Sequence, residues 1–92
     1  MAVLAEKQIV GLLRSAKGWK RRGSEIQKIF IHKDFARAMG FVQSVALLAE
    51  KMNHHPDIDI RWNKVILSLS THSAGGLTEK DFALAKQINA LK

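Results

Sequence analysis

Three of the four histidines in this 92-residue chain lie in two short segments, His54-His55-Pro56-Asp57 and Ser70-Thr71-His72. Imidazole titrates near neutral pH, so two imidazoles at one place can supply a proton donor and a proton acceptor to the same reaction. Neutral imidazoles can also bind a metal ion. If the two segments meet in the fold, the residue types favour an acid–base or ligand site over a chance meeting of polar loop residues.

The spacing of the histidines makes a metal site less favoured than an acid–base site but does not exclude it. Adjacent histidines such as His54 and His55 rarely both reach one metal ion, and the helical spacing His-x-x-x-His is absent. The chain has no cysteine, which excludes a disulfide framework, a thiolate zinc site and a cysteine nucleophile. A zinc-dependent hydrolase that uses the same histidines stays open. His32 has no partner in the sequence, and we predict a structural role for it.

Composition predicts one soluble globular domain that spans residues 1–92. Hydrophobic residues make up 47% and charged residues 25%, which is typical of a chain with a packed core. No apolar run approaches the ~18–20 residues that cross a bilayer. Glu6 and Lys7 interrupt the apolar beginning of the chain, so we expect no signal peptide, no membrane partner and a cytoplasmic location. A core this small without disulfides predicts oligomerisation.

The net charge of +7 is concentrated near the beginning of the chain. A run of basic residues precedes Glu25, namely Lys7, Arg14, Lys17, Lys20, Arg21 and Arg22. Such a run could follow a phosphate backbone, but no nucleic-acid-binding motif accompanies it, so a solvated surface is the favoured interpretation. The alternative function is a small basic binding module, for nucleic acid or a helical protein partner, with a vestigial site.

Hydrophobic periodicity predicts the order α-β-β-α-β-β-α. Apolar residues at helical spacing predict a first helix over 3–14, and two short strands follow between Trp19 and Ile31. The longest helix begins after an N-cap at Asp34 and ends at Asn53. The last helix follows Thr78, which forms a near capping box with an acid three residues later. Three helices on one face of a four-stranded antiparallel sheet make a two-layer α+β sandwich.

The second pair of strands decides whether the histidines meet. Apolar residues alternate along 58–62 and 65–69, which predicts a hairpin that turns at Asn63-Lys64. In that register Ile60 faces Leu67 and Ile58 faces Leu69, and continued pairing brings His55 opposite His72. The register therefore predicts that a group of polar residues converges at the open end of the hairpin: His54, His55, Ser70, Thr71 and His72.

Several segments together resemble the pterin-4a-carbinolamine dehydratase family, whose members include a dimerisation cofactor of a homeodomain transcription factor. The segments are Ala49-Glu50-Lys51-Met52-Asn53-His54-His55-Pro56-Asp57, Trp62-Asn63-Lys64-Val65, Leu69-Ser70-Thr71-His72 and Gly75-Gly76-Leu77-Thr78-Glu79-Lys80-Asp81. The resemblance runs from about residue 19 to the end of the chain. Asn53 stands where several relatives have Asp, and Ile58 where some have Trp.

The resemblance implies a hydro-lyase that converts 4a-hydroxytetrahydrobiopterin to quinonoid dihydrobiopterin and water, in the recycling of tetrahydrobiopterin. It implies no metal, nucleotide or redox cofactor. The family uses the histidines that correspond to His54, His55 and His72. We predict that His54 and His72 transfer protons, while His55 binds and orients the substrate.

The same resemblance implies the rest of the site and the partners. The predicted substrate-binding residues flank the histidines and are Asn53, His54, His55, Pro56, Ser70, Thr71, His72 and Ser73. Carboxylates that could orient an imidazole are Glu50, Asp57 and Asp81. Family members form dimers of dimers, so a homodimer or homotetramer is expected. The transcription-factor partner of some relatives is not supported by these residues.

Overall fold

The computed structural model describes residues 2–91, and it has the predicted order of elements. The helices and strands are α1 (Glu6–Ser15), β1 (Lys20–Arg22), β2 (Glu25–Ile31), α2 (Phe35–Met52), β3 (Asp57–Arg61), β4 (Lys64–Leu69) and α3 (Glu79–Asn89). A short 3-10 turn, His72–Ala74, follows β4. The prediction of an α+β sandwich is therefore confirmed.

The four strands form one antiparallel sheet in the order β1-β2-β4-β3. Val65, Leu67 and Leu69 alternate along β4 and are fully buried, because they point toward the helices. Within residues 2–91, no helix packs on the opposite face of the sheet, and there Ile29 and Ile31 are 54% and 68% exposed. We call this second surface the open face.

The helix ends follow from local sequence. The Asp34 side chain accepts a hydrogen bond of 2.8 Å from the backbone N–H of Arg37 and so caps α2. Asn53 adopts a left-handed conformation with φ of 50°, which ends α2 and turns the chain toward β3. The first helix begins at Glu6 and not at residue 3, since Leu4 is held in an extended segment by a 2.8 Å bond from its N–H to the Leu77 carbonyl.

The predicted register of the second hairpin is wrong by two residues. Ile58 pairs with Leu67 and Ile60 with Val65, so the turn is Trp62-Asn63 and not Asn63-Lys64. Trp62 takes a positive φ of 51° in this turn. A slip of two residues keeps every side chain on the same face, so apolar matching could not distinguish the two registers.

Hydrogen bonds with His32, the residue after β2, explain the position of the hairpin turn. The side-chain amide of Asn63 donates a 3.0 Å hydrogen bond to the His32 carbonyl, and the His32 N–H donates one of 2.8 Å to the Asn63 carbonyl. The turn is thus fixed by a residue 31 positions away in the chain. Continuing the observed register would bring Ser70, and not His72, opposite His55.

The end of α3 is joined to the sheet by one amide side chain. Asn89 Oδ1 accepts hydrogen bonds from the Trp19 indole at 3.1 Å and from the Lys28 ammonium at 2.8 Å. Its Nδ2 donates to the Lys17 carbonyl at 3.0 Å. Because Trp19 is only 4% exposed, water cannot easily replace its acceptor.

Asn89→Ala is expected to lower the free energy of unfolding by about 1–3 kcal/mol, because the Trp19 and Lys28 donors lose a shared acceptor. Urea denaturation followed by tryptophan fluorescence measures this change. Gln87→Ala, at an exposed position of the same helix, is the matched control and should change stability by less than about 0.5 kcal/mol. Equal stability of the two variants would contradict the assigned role of Asn89.

Candidate active site

His54 lies at the exit of α2 and is held there by both backbone and side chain. Its N–H donates to the Ala49 carbonyl at 3.1 Å, since the left-handed Asn53 turns the chain back over the end of the helix. The residue is 8% exposed, and its Nε2 lies 2.5 Å from Asp81 Oδ1. A carboxylate in this position fixes both the orientation and the tautomer of an imidazole.

Asp81 is completely buried at the beginning of α3 and belongs to a capping box. Its Oδ2 accepts hydrogen bonds of 2.9 Å from the Thr78 backbone N–H and from the Thr71 hydroxyl. The hydroxyl oxygens of Thr71 and Thr78 are themselves 2.7 Å apart. One carboxylate therefore caps the helix and holds the His54 ring.

These hydrogen bonds bring three segments of the chain together. His54 follows α2, Asp81 lies in the first turn of α3, and Thr71 follows β4. Thr71 is fixed by backbone bonds to Gly76, including its N–H to the Gly76 carbonyl at 2.9 Å. His72 directly follows Thr71 in the 3-10 turn, and its side chain is exposed. His72 is therefore presented to solvent beside the buried His54–Asp81 pair.

His55 lies in a different environment from its neighbour. Its Nε2 is 2.7 Å from Glu50 Oε1, and the two side chains are 54% and 77% exposed. An exposed pair of this kind is worth little energetically, because water screens it. Glu50 is therefore a weak, solvent-exposed partner of the His55 ring.

The other predicted site residues divide by position. Asn53 and Ser73 are exposed, and Pro56 and Ser70 are half-buried, around the three histidines in the chain. Asp57 pairs with Ser68 and so projects on the open face, and among residues 2–91 it has no hydrogen bond to an imidazole. Glu50 and Asp81 are the two candidate carboxylates that hydrogen-bond to a histidine.

Two functional features were not visible in the sequence. Thr71 is predicted to bind substrate through backbone groups, and in the structure its hydroxyl bonds to Asp81 and Thr78 inside the protein. Thr78 was expected only to cap α3. Asp81 is both the acid of this capping box and one of the carboxylates predicted to orient an imidazole. In the sequence, that overlap is the signal that connects the cap of α3 to the site.

The fourth histidine lies elsewhere. His32 packs its ring against Phe41, with ring centroids 4.8 Å apart.

Across residues 2–91, no group of three or more His, Cys, Asp or Glu side chains is placed to hold a metal ion. The zinc-hydrolase alternative thus has no ligand set in this part of the chain, and elemental analysis remains its test. Within the same residues, no helix is both long and apolar enough to cross a membrane.

Comparison with known proteins assigns the family. The fold and the histidine site define a small α+β protein of the pterin dehydratase class, and the family model described as Pterin 4 alpha carbinolamine dehydratase matches residues 2–91. The chain belongs to this family. It is 56% identical over 90 residues to a Roseiflexus castenholzii protein named "Putative pterin-4-alpha-carbinolamine dehydratase", covering 98% of this chain and 97% of that protein. A Thermomicrobium roseum protein of the same name is 48% identical over 91 residues, covering 99% of this chain and 98% of that protein.

Solved structures confirm the architecture. A crystal structure titled transcriptional coactivator/pterin dehydratase, from Brucella melitensis, superposes with a TM-score of 0.92 at 39% identity and covers 96% of each chain. A pterin dehydratase-like protein described as a RuBisCO assembly factor in the alpha-carboxysome shares the fold, with a TM-score of 0.68 at 24% identity. The superposition with this assembly factor covers 83% of the present chain and 90% of the assembly factor.

Proposed function

We propose that this chain is a hydro-lyase that converts 4a-hydroxytetrahydrobiopterin to quinonoid dihydrobiopterin and water. The observation that carries the proposal is the buried His54–Asp81 pair, joined through Thr71 to the segment that presents His72. This connection between the two histidine segments supports the proposal in a chain that belongs to the dehydratase family. The lyase activity, and its place in tetrahydrobiopterin recycling, rest on that combination.

The chemistry requires two proton transfers. Hydroxide is a poor leaving group, so a general acid protonates the 4a oxygen while the C4a–O bond breaks and water departs. The N5 proton passes to a general base, and its bonding pair forms the N5–C4a double bond of the quinonoid product. A positioned acid or base typically contributes about 10²–10⁴-fold to the rate. His54 and His72 take these two roles, and His55 binds and orients the pterin.

The experiment is a dehydration assay with metal-free protein. The 4a-hydroxy compound decays spontaneously, so the rate with purified, chelator-treated protein is compared with the rate in buffer alone. The proposal predicts catalytic acceleration that survives removal of metal. A rate equal to the background would overturn it, and a rate that depends on added zinc would favour the hydrolase-type site.

His55→Ala is expected to raise KM with little change in kcat, because an exposed histidine that binds substrate contributes equally to the ground state and the transition state. Glu50→Gln should give a smaller change in the same direction, since it removes only the carboxylate 2.7 Å from the ring. Steady-state kinetics of both variants tests this. Loss of kcat in His55→Ala with normal KM would assign proton transfer to His55 instead.

We also propose that the chain self-associates as a homodimer or homotetramer. Large apolar side chains are exposed on α2 and on the open face, namely Phe35, Met39, Leu47, Ile29 and Ile31. Uncovered apolar surface of this kind marks an interface more often than a free surface. Sedimentation should give a mass that is a multiple of 10.3 kDa, and a monomer at micromolar concentration would contradict the proposal.

The binding-module alternative is favoured by one observation, that the similar Brucella melitensis protein is described as a transcriptional coactivator. Of the predicted basic run, Arg21 is paired with Glu6, and the hydrogen bond from its guanidinium lowers the pKa of the Glu6 carboxyl. A nucleic-acid binder would show affinity that falls steeply with salt and depends on Lys17, Lys20 and Arg22. A dehydratase would show only weak binding that is independent of sequence.

A further inference from the structure

The hydrogen bonds around His54 are shielded from solvent and must be satisfied within the protein. Asp81 and Thr78 are fully buried, Thr71 is 6% exposed and His54 is 8% exposed. Buried polar groups of this kind are costly unless each finds a partner. Every proton in the cluster therefore has a definite position, which can be worked out from the number of donors.

Counting protons fixes the direction of the hydroxyl bonds. A carboxylate oxygen only accepts, so the bond between Thr71 and Asp81 Oδ2 uses the single hydroxyl proton of Thr71. The 2.7 Å contact between the two hydroxyls must then use the proton of Thr78, which donates to Thr71. Thr78 Oγ1 in turn accepts from the Lys80 N–H at 3.3 Å.

The two carboxylate oxygens of Asp81 therefore have different hydrogen-bond partners. Oδ2 accepts from the Thr71 hydroxyl and from the Thr78 N–H, both at 2.9 Å. Oδ1 faces His54 Nε2 at 2.5 Å, so one hydrogen bond joins the carboxylate to the imidazole. A carboxylate oxygen only accepts, so the proton in this hydrogen bond is on His54 Nε2.

We infer that Thr71 and Thr78 act as positioning residues that hold the proton of His54 on Nε2 and leave Nδ1 as its reacting nitrogen. This inference rests on the proposed dehydratase function, and it specifies the atom of His54 that exchanges the proton with the pterin. Neither threonine needs to touch the substrate. The Thr71 hydroxyl and the Thr78 backbone N–H act through Asp81, and the Thr78 hydroxyl acts through Thr71.

The environment of His55 supplies an internal contrast. Its Nε2 contacts Glu50, but both groups are largely exposed, so water can substitute for either partner and either tautomer is accessible. The buried threonine network belongs to His54 alone among the imidazoles of residues 2–91. A fixed tautomer is what a group that must accept or donate at one atom requires.

The direct test is nitrogen NMR of the imidazoles in ¹⁵N-histidine-labelled protein, without substrate. The His54 signals are assigned by their loss in His54→Gln. The inference predicts that neutral His54 carries its proton on Nε2, with Nδ1 unprotonated. A proton on Nδ1 in the wild-type protein would overturn the inference, and this readout is independent of any activity.

Kinetics of threonine variants provides the second arm. Thr71→Val keeps the shape but removes the donor, and we expect kcat to fall about tenfold with unchanged KM, together with a mixture of His54 tautomers. Thr71→Ser restores the hydroxyl and should restore both properties. A purely structural role would lower the melting temperature of Thr71→Val while leaving its kcat and its tautomer as in the wild type, and that result would overturn the inference.

The two arms separate this inference from the proposed function. If the wild-type protein shows the Nε2 proton but no dehydration above background, the proposed function fails while the assigned tautomer stands. If dehydration is normal but the proton lies on Nδ1, the inference fails alone. Should Thr71→Val not fold, Thr71→Ala gives the same comparison with Thr71→Ser, because it also removes the hydroxyl that donates to Asp81.

Discussion

His54→Ala and His72→Ala are each expected to lower kcat by about 10²–10⁴-fold, which corresponds to about 3–5 kcal/mol of transition-state stabilisation. Each substitution removes one of the two groups that we propose transfer protons to or from the pterin. KM should change much less than kcat, because these interactions develop in the transition state. Steady-state dehydration kinetics with corrected background measures both constants.

The fourth histidine offers a matched control. His32 lies in the connection from β2 to α2 and packs on Phe41, outside the site. His32→Ala should keep the kcat of the wild type once its folded fraction has been verified by circular dichroism. If His54→Ala and His72→Ala behave like this control, the division of roles among the histidines is wrong.

Asp81→Asn is expected to reduce kcat by about 10²–10⁴-fold although it is nearly isosteric. The asparagine oxygen would accept from the Thr71 hydroxyl and the Thr78 N–H, which leaves the amide nitrogen facing His54 Nε2. An amide nitrogen donates, so Nε2 would have to accept and the His54 proton would move to Nδ1. The enzyme would then hold the wrong tautomer in an almost unchanged site.

Asp59→Asn is the matched control for this substitution. Asp59 lies on the open face and is exposed, where it pairs with Arg61 at 3.2 Å. Its replacement should leave kcat unchanged. If Asp81→Asn retains the wild-type kcat while folding normally, Asp81 does not act through the tautomer of His54.

The local parts of the fold could be predicted because the residues that determine them are neighbours in sequence. Asp34 caps α2 through the N–H of Arg37, and the left-handed Asn53 ends it. The capping box of Thr78 and Asp81 was recognised in the same way. In each case the interaction spans at most a few residues, so the pattern of residue types was sufficient.

The register of the second hairpin depends on a long-range contact and could not be predicted. Asn63 is anchored to His32, and that contact is absent from any local pattern. The apolar residues fit both the predicted and the observed registers, since a shift of two residues preserves the buried face. The predicted convergence of His55 with His72 rested on the wrong pairing.

The hydrogen bonds of the site could not be predicted from the sequence either. Asp81 is one of three candidate carboxylates, and its place in the capping box of α3 does not by itself show that it, and not Asp57, bonds to an imidazole. The choice depends on burial and on a side-chain contact across 27 residues, neither of which a motif specifies. The same holds for the Thr71 hydroxyl, which donates to Asp81 inside the protein.

The most direct test of the histidine site compares the wild-type protein with the double variant His54→Ala/His72→Ala in the metal-free dehydration assay. The two proteins are first shown to have the same circular dichroism and the same sedimentation behaviour. The proposed function predicts turnover of the 4a-hydroxypterin by the wild type and a rate at the uncatalysed background for the double variant. Equal rates for the two folded proteins, whether both fast or both at background, would contradict it.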